Sequence, residues 1–270
     1  MPASDQPTRK PIRHYGIMKN PKAEETTDFG FQKVPVAEKA RLVGAIFDSL
    51  ADRYDLTNDV MSFGMHRLWR RFAVDLCQIS PGQKVLDLAG GTGDLTGRLA
   101  RAAGSEGLVV LAEINDTMLR RAEVRFSNEH SPDQVEYVRA NAEEVPFGDN
   151  HFDVVTIAFG IRNVTHKEAV LRSMFRVLRP GGTAVVLEFS HPVVPGFGPL
   201  YDFYSFHVMP LIGRLVAGKD GGFRYLAESI RVHPDQETLL AMMEEAGFEG
   251  CEYHNLSGGI VAVHRGFKPQ

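Results

Sequence analysis

The sequence predicts an α/β protein with a mostly parallel sheet and helices on both of its faces. Short apolar segments alternate with amphipathic ones between residues 84 and 190. This alternation is typical of parallel strands that are joined by helices. The apolar segments are also almost continuously hydrophobic, as in LVVLAEI at 108–114. Such runs are typical of strands that are covered on both faces.

The individual elements follow from hydrophobic spacing and from Gly and Pro positions. Before the sheet, we predict helices over 36–52 and 66–76, with a turn-like stretch over 54–58 between them. The five predicted parallel strands are 84–90, 108–114, 135–142, 152–160 and 183–190. The helices predicted with them are 94–103, 116–126, 167–178 and 235–247. Strands over 249–256 and 259–267 complete the chain as a terminal hairpin.

Two stretches lie outside this alternation of strands and helices. Residues 1–33 are polar and rich in proline, and we expect a disordered N-terminal tail followed by one domain over 34–270. The basic residues of the tail leave a transit peptide as the alternative. Residues 193–226 are rich in aromatic residues, Gly and Pro, and they predict an insertion that caps the sheet.

Composition excludes several classes of function. A formal net charge of −4 gives no electrostatic case for binding nucleic acid. The two cysteines, Cys77 and Cys251, are far apart and fit a reducing cytoplasm. Neither they nor the ten histidines have the spacing of metal ligands, so we predict no metal. No apolar run approaches the roughly 20 residues that span a bilayer.

The strongest local signal is the segment VLDLAGGTGDL at 85–95, where a predicted strand ends, glycines follow and a helix begins. Glycines let a backbone approach a ligand closely at this edge of a parallel sheet. The spacing Gly91-x-Gly93-x-x-x-Gly97 differs from the dinucleotide fingerprint GxGxxG. Asp94 at the helix entrance would repel a pyrophosphate, and it suits a nucleoside that carries a cationic amine and a sulfonium.

Polar residues end the next two strands. Glu113 ends the second, where a carboxylate can accept hydrogen bonds from both ribose hydroxyls. The alternative is a strand-end Glu in solvent. Asn141 and Ala142 end the third strand. The Asn141 amide either reads an adenine edge or makes an Asx turn.

With these residues in view, the chain resembles the UbiE-type ubiquinone/menaquinone C-methyltransferases from about residue 29 to residue 268. LDLAGGTGD and LRPGG are shared widely among class I methyltransferases, whereas YDLTND, MSFGMHRLWR and FGIRNVT are much more specific. The resemblance implies a Rossmann-like methyltransferase fold whose seven-stranded sheet has an antiparallel terminal strand. It also implies S-adenosylmethionine as cofactor and S-adenosylhomocysteine as product.

The resemblance implies that Thr92, Glu113, Asn141, Ala142 and Ala158 lie at cofactor positions. To these we add Asp87, Gly91 and Gly93 of the glycine-rich segment as candidate cofactor residues. Two of the implied positions depart from the family pattern: Glu113 stands where the family usually has Asp, and Ala158 where it often has Ser. Both departures bear on the affinity for the cofactor.

The same resemblance implies that a polyprenylated quinol is methylated on a ring carbon. It also implies that Arg162 takes part in proton removal, with Tyr54 and Asn163 orienting it or a water molecule. Arginine is a poor base because its pKa exceeds about 12. We therefore expect Arg162 to stabilise the developing phenolate while a bound water carries the proton. The alternatives are a core aromatic role for Tyr54, and pairing of Arg162 with Asp153 or Glu188. His66 is a further base candidate or a structural histidine.

A long isoprenoid tail requires a site that opens to an apolar surface. We expect the aromatic stretch 193–216 to cover the quinol head, or else to pack as a helical cap or dimer contact. We expect a cytoplasmic protein that contacts the inner membrane peripherally, with a quinone-biosynthesis complex and a homodimer left open. Competing functions are methylation of another acceptor, a nicotinamide oxidoreductase and a non-catalytic subunit that keeps the fold.

Overall fold

The structure, a computed structural model, describes residues 12–14, 25–127, 134–217 and 221–270. Its strands are β1 (Arg13–His14), β2 (Thr26–Phe29), β3 (Gln32–Pro35), β4 (Lys84–Leu88), β5 (Leu108–Glu113), β6 (Val135–Arg139), β7 (Phe152–Ala158), β8 (Leu178–Phe189), β9 (Glu249–Leu256) and β10 (Val261–Phe267). Its helices are α1 (Val36–Leu50), α2 (Tyr54–Met61), α3 (His66–Cys77), α4 (Asp94–Ala103), α5 (Asp116–Ser127), α6 (Lys167–Val177), α7 (Phe197–Phe203), α8 (Met209–Ala217), α9 (Gly221–Val232) and α10 (Gln236–Glu245).

The main sheet has the strand order β1-β6-β5-β4-β7-β8-β10-β9. The pairs from β1 to β8 are parallel, while β10 runs antiparallel to both β8 and β9. The predicted fold class is therefore confirmed, with the two-residue strand β1 added at one edge. The chain moves outward from β4 to β6 and then returns to the other side of β4. This reversal puts the topological switch point, where such sheets bind ligands, between β4 and β7.

Both faces of the sheet are covered by apolar clusters. Successive side chains of a strand point to opposite faces. Accordingly, Leu86 and Leu88 join one buried cluster and Val85 joins the other. This two-sided burial explains why the parallel strands read as continuous hydrophobic runs. Helix α4 has the predicted bounds: Gly93, in the left-handed region at φ +84°, precedes it, and Gly104 follows it at φ +67°.

The turn predicted over 54–58 is wrong, because these residues form the first part of helix α2. Their polar side chains have low helix propensity, but packing overrides propensity. Thr57 is buried, and the Tyr204 hydroxyl donates a 2.7 Å hydrogen bond to the carbonyl of Met61 at the end of the helix. The last predicted parallel strand is also longer than expected, since β8 begins at Leu178.

Part of the segment expected to be a disordered tail, 1–33, belongs to the fold. Strands β2 and β3 form a hairpin around Gly30, which has φ +60°. The Phe29 ring stacks on Tyr225 at 4.5 Å, and the Phe31 N–H donates to Glu228 Oε2 at 3.1 Å. These contacts come from helix α9, so local composition did not reveal them. The remainder of the predicted tail, 1–11 and 15–24, lies outside the described residues.

The stretch predicted as an insertion, 193–226, contains α7, a π-helical turn over Tyr204–Val208, α8 and the start of α9. We call residues 193–226 the cap. Its residues 218–220 lie outside the described residues. In the part of the chain that the structure describes, no helix combines the length and apolar character needed to cross a membrane.

Candidate active site

The glycine-rich loop follows β4 at the switch point. Ala89, Gly91 and Gly93 all have positive φ, at +50°, +59° and +84°. The Gly93 N–H donates to the Gly90 carbonyl at 2.9 Å and closes the turn. A Cβ at Gly90 would lie 2.7 Å from Leu111 Cγ, so only glycine fits there. The loop is thus held tightly against β5 and leaves its open side for a ligand.

Glu113 at the end of β5 reaches this loop. Its Oε2 accepts a 3.0 Å hydrogen bond from the Gly91 N–H, and its Oε1 accepts one of 2.9 Å from the Asn115 N–H. Glu113 is 8% exposed, and burial raises the pKa of its carboxyl group. The alternative of a solvent-exposed strand-end Glu is therefore wrong.

The loop and Glu113 fit a nucleoside. A Cβ at Gly91 would meet nothing within 4 Å, so the backbone here faces open space beside the Glu113 carboxylate. The Glu113 carboxylate accepts hydrogen bonds from the backbone N–H groups of Gly91, Asn115 and Ile114, and of the roughly four acceptor positions of a carboxylate one remains for a ribose hydroxyl. The donor and acceptor groups expected for adenosine are thus present at the ends of β4 and β5.

Asp87 lies beneath the loop, where it is 1% exposed. Its Oδ2 accepts a 2.6 Å hydrogen bond from the Thr96 hydroxyl, and its Oδ1 accepts one of 2.9 Å from Thr156. Burial raises its pKa to about 6, although the two hydroxyls favour the charged form. Asp87 therefore joins β4 to α4 and β7, and its contact with the cofactor stays a prediction.

The other predicted cofactor positions border the same edge. Ala158 ends β7, and Ala142 is buried after β6. Asn141 Oδ1 accepts a 3.0 Å hydrogen bond from the Glu143 N–H, which is the Asx turn that was one of its two alternatives. The reading of an adenine edge by Asn141 stays a prediction.

Thr92 connects the loop to helix α2. Its hydroxyl donates to Asp55 Oδ1 at 3.0 Å. Tyr54, the residue before Asp55, lines an apolar cavity on one side and an open cleft beside Thr92 on the other. Tyr54 also packs on Phe47 with ring centroids 6.0 Å apart. It therefore lies between the loop and the cavity, as an aromatic wall residue.

The cavity has a volume of about 420 Å³ and is bounded by α1, α2, α3, the end of β7 and the cap. Most of its lining is apolar. The polar side chains of its wall are Tyr54, Thr57, Asn58, Ser62, His66, Arg70, Arg162, Asn163, Tyr201, Tyr204, Tyr225 and Ser257. The cap contributes Phe197, Leu200, Tyr201, Tyr204, Met209, Gly222, Phe223, Tyr225 and Leu226.

Arg162, a residue of the cavity wall, forms an ion pair with Glu188. Arg162 Nη1 donates to Glu188 Oε1 at 2.8 Å and to the Phe159 carbonyl at 2.5 Å. The two side chains are 8% and 1% exposed. The Arg162 guanidinium also lies over the Phe189 ring, 5.4 Å from its centroid. Of the two partners predicted for Arg162, the structure selects Glu188; Asp153 pairs with Arg179 instead.

Asn163 lies beside this pair. Its Oδ1 accepts a 3.1 Å hydrogen bond from the hydroxyl of Tyr225 in the cap. Burial raises the pKa of Tyr225 to about 12, so this phenol remains protonated and acts as a donor. The structure therefore brings Arg162, Asn163 and Tyr54 to one cavity.

His66 is held between two side chains. Its Nε2 lies 2.7 Å from Asp59 Oδ1, and its Nδ1 faces Arg70 Nη1. Burial lowers the His66 pKa, so the ring is neutral, with Nε2–H donating and Nδ1 accepting. Since Nδ1 is occupied by Arg70, the arrangement supports the structural role rather than the base.

The surroundings of Asp94 differ from the expectation that its carboxylate faces a cationic ligand. Its Oδ2 lies 3.3 Å from Arg70 Nη1, and its Oδ1 lies 3.6 Å from Arg98 Nε. Two guanidinium groups therefore surround it. Across the described residues, no group of three or more His, Cys, Asp or Glu side chains could hold a metal ion. The prediction of no metal stays a prediction.

Sequence reasoning missed Asp55, Arg70 and Tyr225 as parts of this site. Their partners are distant in sequence: 37 residues separate Asp55 from Thr92, and 62 separate Tyr225 from Asn163. Asp55 and Arg70 lie in the family-specific stretches YDLTND and MSFGMHRLWR, and this membership is the signal that could have marked them.

Comparison with solved structures shows the fold. A methyltransferase of Aquifex aeolicus, described as SAM dependent, aligns with a TM-score of 0.54 and 16% identity over 73% of this chain and 88% of its own. The [4+2]-cyclase SpnF aligns with a TM-score of 0.64 and 16% identity over 87% of this chain and 98% of its own. Since the second protein is described as a cyclase, this fold alone does not define a reaction.

Sequence relatives are much closer. The ubiquinone/menaquinone biosynthesis C-methyltransferase UbiE of Cronobacter sakazakii is 58% identical over 246 residues, which cover 91% of this chain and 98% of the relative. The protein of the same description in Ectopseudomonas mendocina is 58% identical over 91% of this chain and 96% of its own length. The family model described as ubiE/COQ5 methyltransferase family matches residues 34–268. With the nucleoside-fitting loop beside an apolar cavity, these matches show that the chain belongs to the ubiE/COQ5 methyltransferase family and is an S-adenosylmethionine-dependent C-methyltransferase.

Proposed function

We propose that the enzyme methylates a ring carbon of a polyprenylated quinol: demethylmenaquinol, the methoxy-benzoquinol intermediate of ubiquinone synthesis, or both. The names of its relatives support this acceptor class. The observation that carries the proposal is that Arg162, held by its ion pair with Glu188, lies in the wall of a largely apolar cavity. A cation there can stabilise a phenolate, and the apolar lining accepts the ring.

S-adenosylmethionine supplies the methyl group on a sulfonium, which is a good leaving centre. We propose that it is held by the predicted positions Gly91, Thr92, Gly93, Glu113, Asn141, Ala142 and Ala158, above the buried Asp87. Glu113 would bind the ribose, and the open backbone at Gly91 would let the cofactor approach closely. The other task of the protein is to activate the acceptor.

A quinol ring carbon becomes nucleophilic when a neighbouring hydroxyl loses its proton, because the phenolate charge spreads into the ring. Glu188 accepts hydrogen bonds from the Arg162 side chain, the Arg162 N–H and the Phe189 N–H. With three donors, Glu188 serves better as an anchor than as a base. Arg162 then stabilises the phenolate, Asn163 and Tyr54 orient the acceptor, and a water molecule carries the proton away.

The cap would exclude bulk water during this step. Its aromatic side chains line the cavity, and its Tyr225 fixes Asn163. Alignment of the ring carbon with the methyl group can contribute several kcal/mol to the rate, and a dry site strengthens the phenolate–guanidinium interaction. The cap is thus proposed to cover the quinol head.

Two exposed apolar residues at the opening of the cavity, Phe63 and Leu200, support a proposal for how the enzyme docks on a membrane; we call this opening the mouth. Phe63 and Leu200 line the cavity and are 78% and 63% exposed. Large exposed apolar side chains at an entrance are favourable where a lipid tail must enter. We propose a cytoplasmic enzyme that touches the inner membrane with this mouth. A quinone-biosynthesis complex and a homodimer stay predictions from the resemblance.

A methyl-transfer assay with short-tailed analogues of both quinols tests the reaction. We expect transfer to one or both, and Arg162→Ala should lower turnover about 100-fold or more with little change in cofactor affinity. The matched control is Arg71→Ala, which removes an exposed arginine 4.0 Å from Asp75. Normal turnover of Arg162→Ala would remove this arginine from the mechanism, and transfer to neither quinol would reject the acceptor class.

Liposome flotation tests the docking. The double variant Phe63→Ser with Leu200→Ser should float less than the native enzyme with anionic vesicles. The control pair, Leu68→Ser with Val124→Ser, also removes two exposed apolar side chains, and neither lines the cavity. Equal flotation of both double variants would argue against the mouth as the contact.

A further inference from the structure

Arg70 is a buried cation that the mechanism above does not use. It lies on α3, is 6% exposed and lines the apolar cavity. Its guanidinium carbon is 5.3 Å from the centroid of the Phe159 ring, and its Nη1 is 3.3 Å from Asp94 Oδ2. Arg70 therefore reaches both the start of α4, directly after the glycine loop, and the residue that follows β7.

The guanidinium is held in one orientation. Its Nη1 donates to Nδ1 of His66, and His66 Nε2–H donates to Asp59 Oδ1 at 2.7 Å. Asp59 in turn accepts hydrogen bonds from Arg67. Arg70 contacts both His66 and Asp94 through Nη1. A buried, oriented arginine of this kind is suited to a planar anion, because its donors form a rigid fork.

The local charges leave this wall positive. Within the described residues, Asp94 has two arginine partners, Arg70 and Arg98. The Asp59 carboxylate is balanced by Arg67, and Glu188 is balanced by Arg162. Among these directly contacting groups, one positive charge is left over. Arg70 also interacts through space with the buried Asp87, whose oxygens accept hydrogen bonds from Thr96 and Thr156 rather than from Arg70. Burial of such a charge is costly unless a ligand of opposite sign pairs with it.

The position of Arg70 relative to Glu113 indicates which anion pairs with it. Glu113 on β5 marks the ribose side of the glycine loop, and Arg70 lies on the opposite side, toward β7. A nucleoside that extends from Glu113 across the loop would bring its other end to Arg70. In S-adenosylmethionine that end carries an amino-acid carboxylate. We infer that Arg70 binds the carboxylate of the cofactor, with His66 and Asp59 as positioning residues.

Binding calorimetry with two cofactors tests this inference. S-adenosylmethionine carries the carboxylate, whereas decarboxylated S-adenosylmethionine keeps the sulfonium and the amine without it. Arg70→Ala should weaken binding of the first roughly 10- to 100-fold, as expected for a charge-assisted hydrogen bond. Binding of the second should change by less than about twofold. Arg98→Ala is the matched control, because Arg98 pairs with the same Asp94 but does not line the cavity; it should leave both affinities near the native values.

An equal loss of affinity for both ligands would overturn the inference, since it would indicate a structural role for Arg70. Unchanged binding of both, with a lower kcat, would also overturn it by assigning Arg70 to the acceptor. Thermal unfolding of each variant reports whether it folds. Arg70→Lys provides a second variant that keeps a cation in the buried position. It should weaken the binding of S-adenosylmethionine only, by roughly 3- to 10-fold, because lysine retains the charge but lacks the planar fork of guanidinium donors.

Discussion

The Thr92 hydroxyl donates to Asp55 Oδ1 at 3.0 Å and joins the glycine-rich loop to helix α2. The other end of α2 is held by the cap, because the Tyr204 hydroxyl donates to the Met61 carbonyl at 2.7 Å. One helix therefore contacts both the glycine-rich loop and the cap over the apolar cavity.

Thr92→Val should weaken the binding of S-adenosylmethionine about 5- to 10-fold. The substitution keeps the shape of the side chain and removes the donor to Asp55, which costs about 1 kcal/mol or somewhat more for a charged acceptor. Calorimetry measures the effect. Thr92→Ser keeps the hydroxyl and should bind as the native enzyme does; a similar loss in both variants would count against the hydrogen bond as the cause.

Glu113→Gln should weaken S-adenosylmethionine and its decarboxylated form equally, by roughly 10- to 100-fold. The amide keeps one acceptor oxygen, but it presents an NH₂ group where the carboxylate accepts from the Gly91 or Asn115 N–H. Binding of both ligands is measured by calorimetry. A loss confined to one of them would place Glu113 away from the ribose.

Glu188→Gln should lower the free energy of unfolding by about 3 kcal/mol, because it leaves the buried Arg162 charge without its partner. Turnover should fall as well, since the guanidinium loses its anchor. Urea unfolding measures the first effect. The comparison is Glu252→Gln, which removes a partly exposed carboxylate paired with Arg265 and should cost less than about 1 kcal/mol. Similar costs for both variants would contradict the importance of burial.

The pH dependence of stability should report on His264. Burial lowers the pKa of this ring to about 4, and its Nε2–H donates to the Gln236 carbonyl at 2.9 Å. Because the folded pKa lies below the unfolded value of 6.5, the stabilisation is fully present above pH 6.5. It is lost as the pH falls toward 4, by on the order of 3 kcal/mol.

Urea unfolding between pH 7 and 4 checks this dependence. His264→Gln cannot take up the proton, so its unfolding free energy should fall less over this range than that of the native enzyme. The matched control is His254→Gln, which replaces a partly exposed histidine. Parallel curves for the native enzyme and His264→Gln would reject the assignment.

Much of this enzyme is readable from local sequence. The alternation of strands and helices, the bounds of α4, the glycine loop and the position of Glu113 at the end of β5 all follow from spacing within short segments. These features depend on backbone conformation and on hydrophobic period, which neighbouring residues determine. The same holds for the family-specific motifs, which predicted the reaction class.

The tertiary structure decided which side chains meet. It made a helix of the stretch 54–58, ordered the hairpin of β2 and β3 against α9, and chose Glu188 rather than Asp153 as the partner of Arg162. It also placed Arg70 between Asp94 and Phe159. The energies of these contacts depend on burial and on distances between residues remote in sequence, so no local pattern of residues contains them.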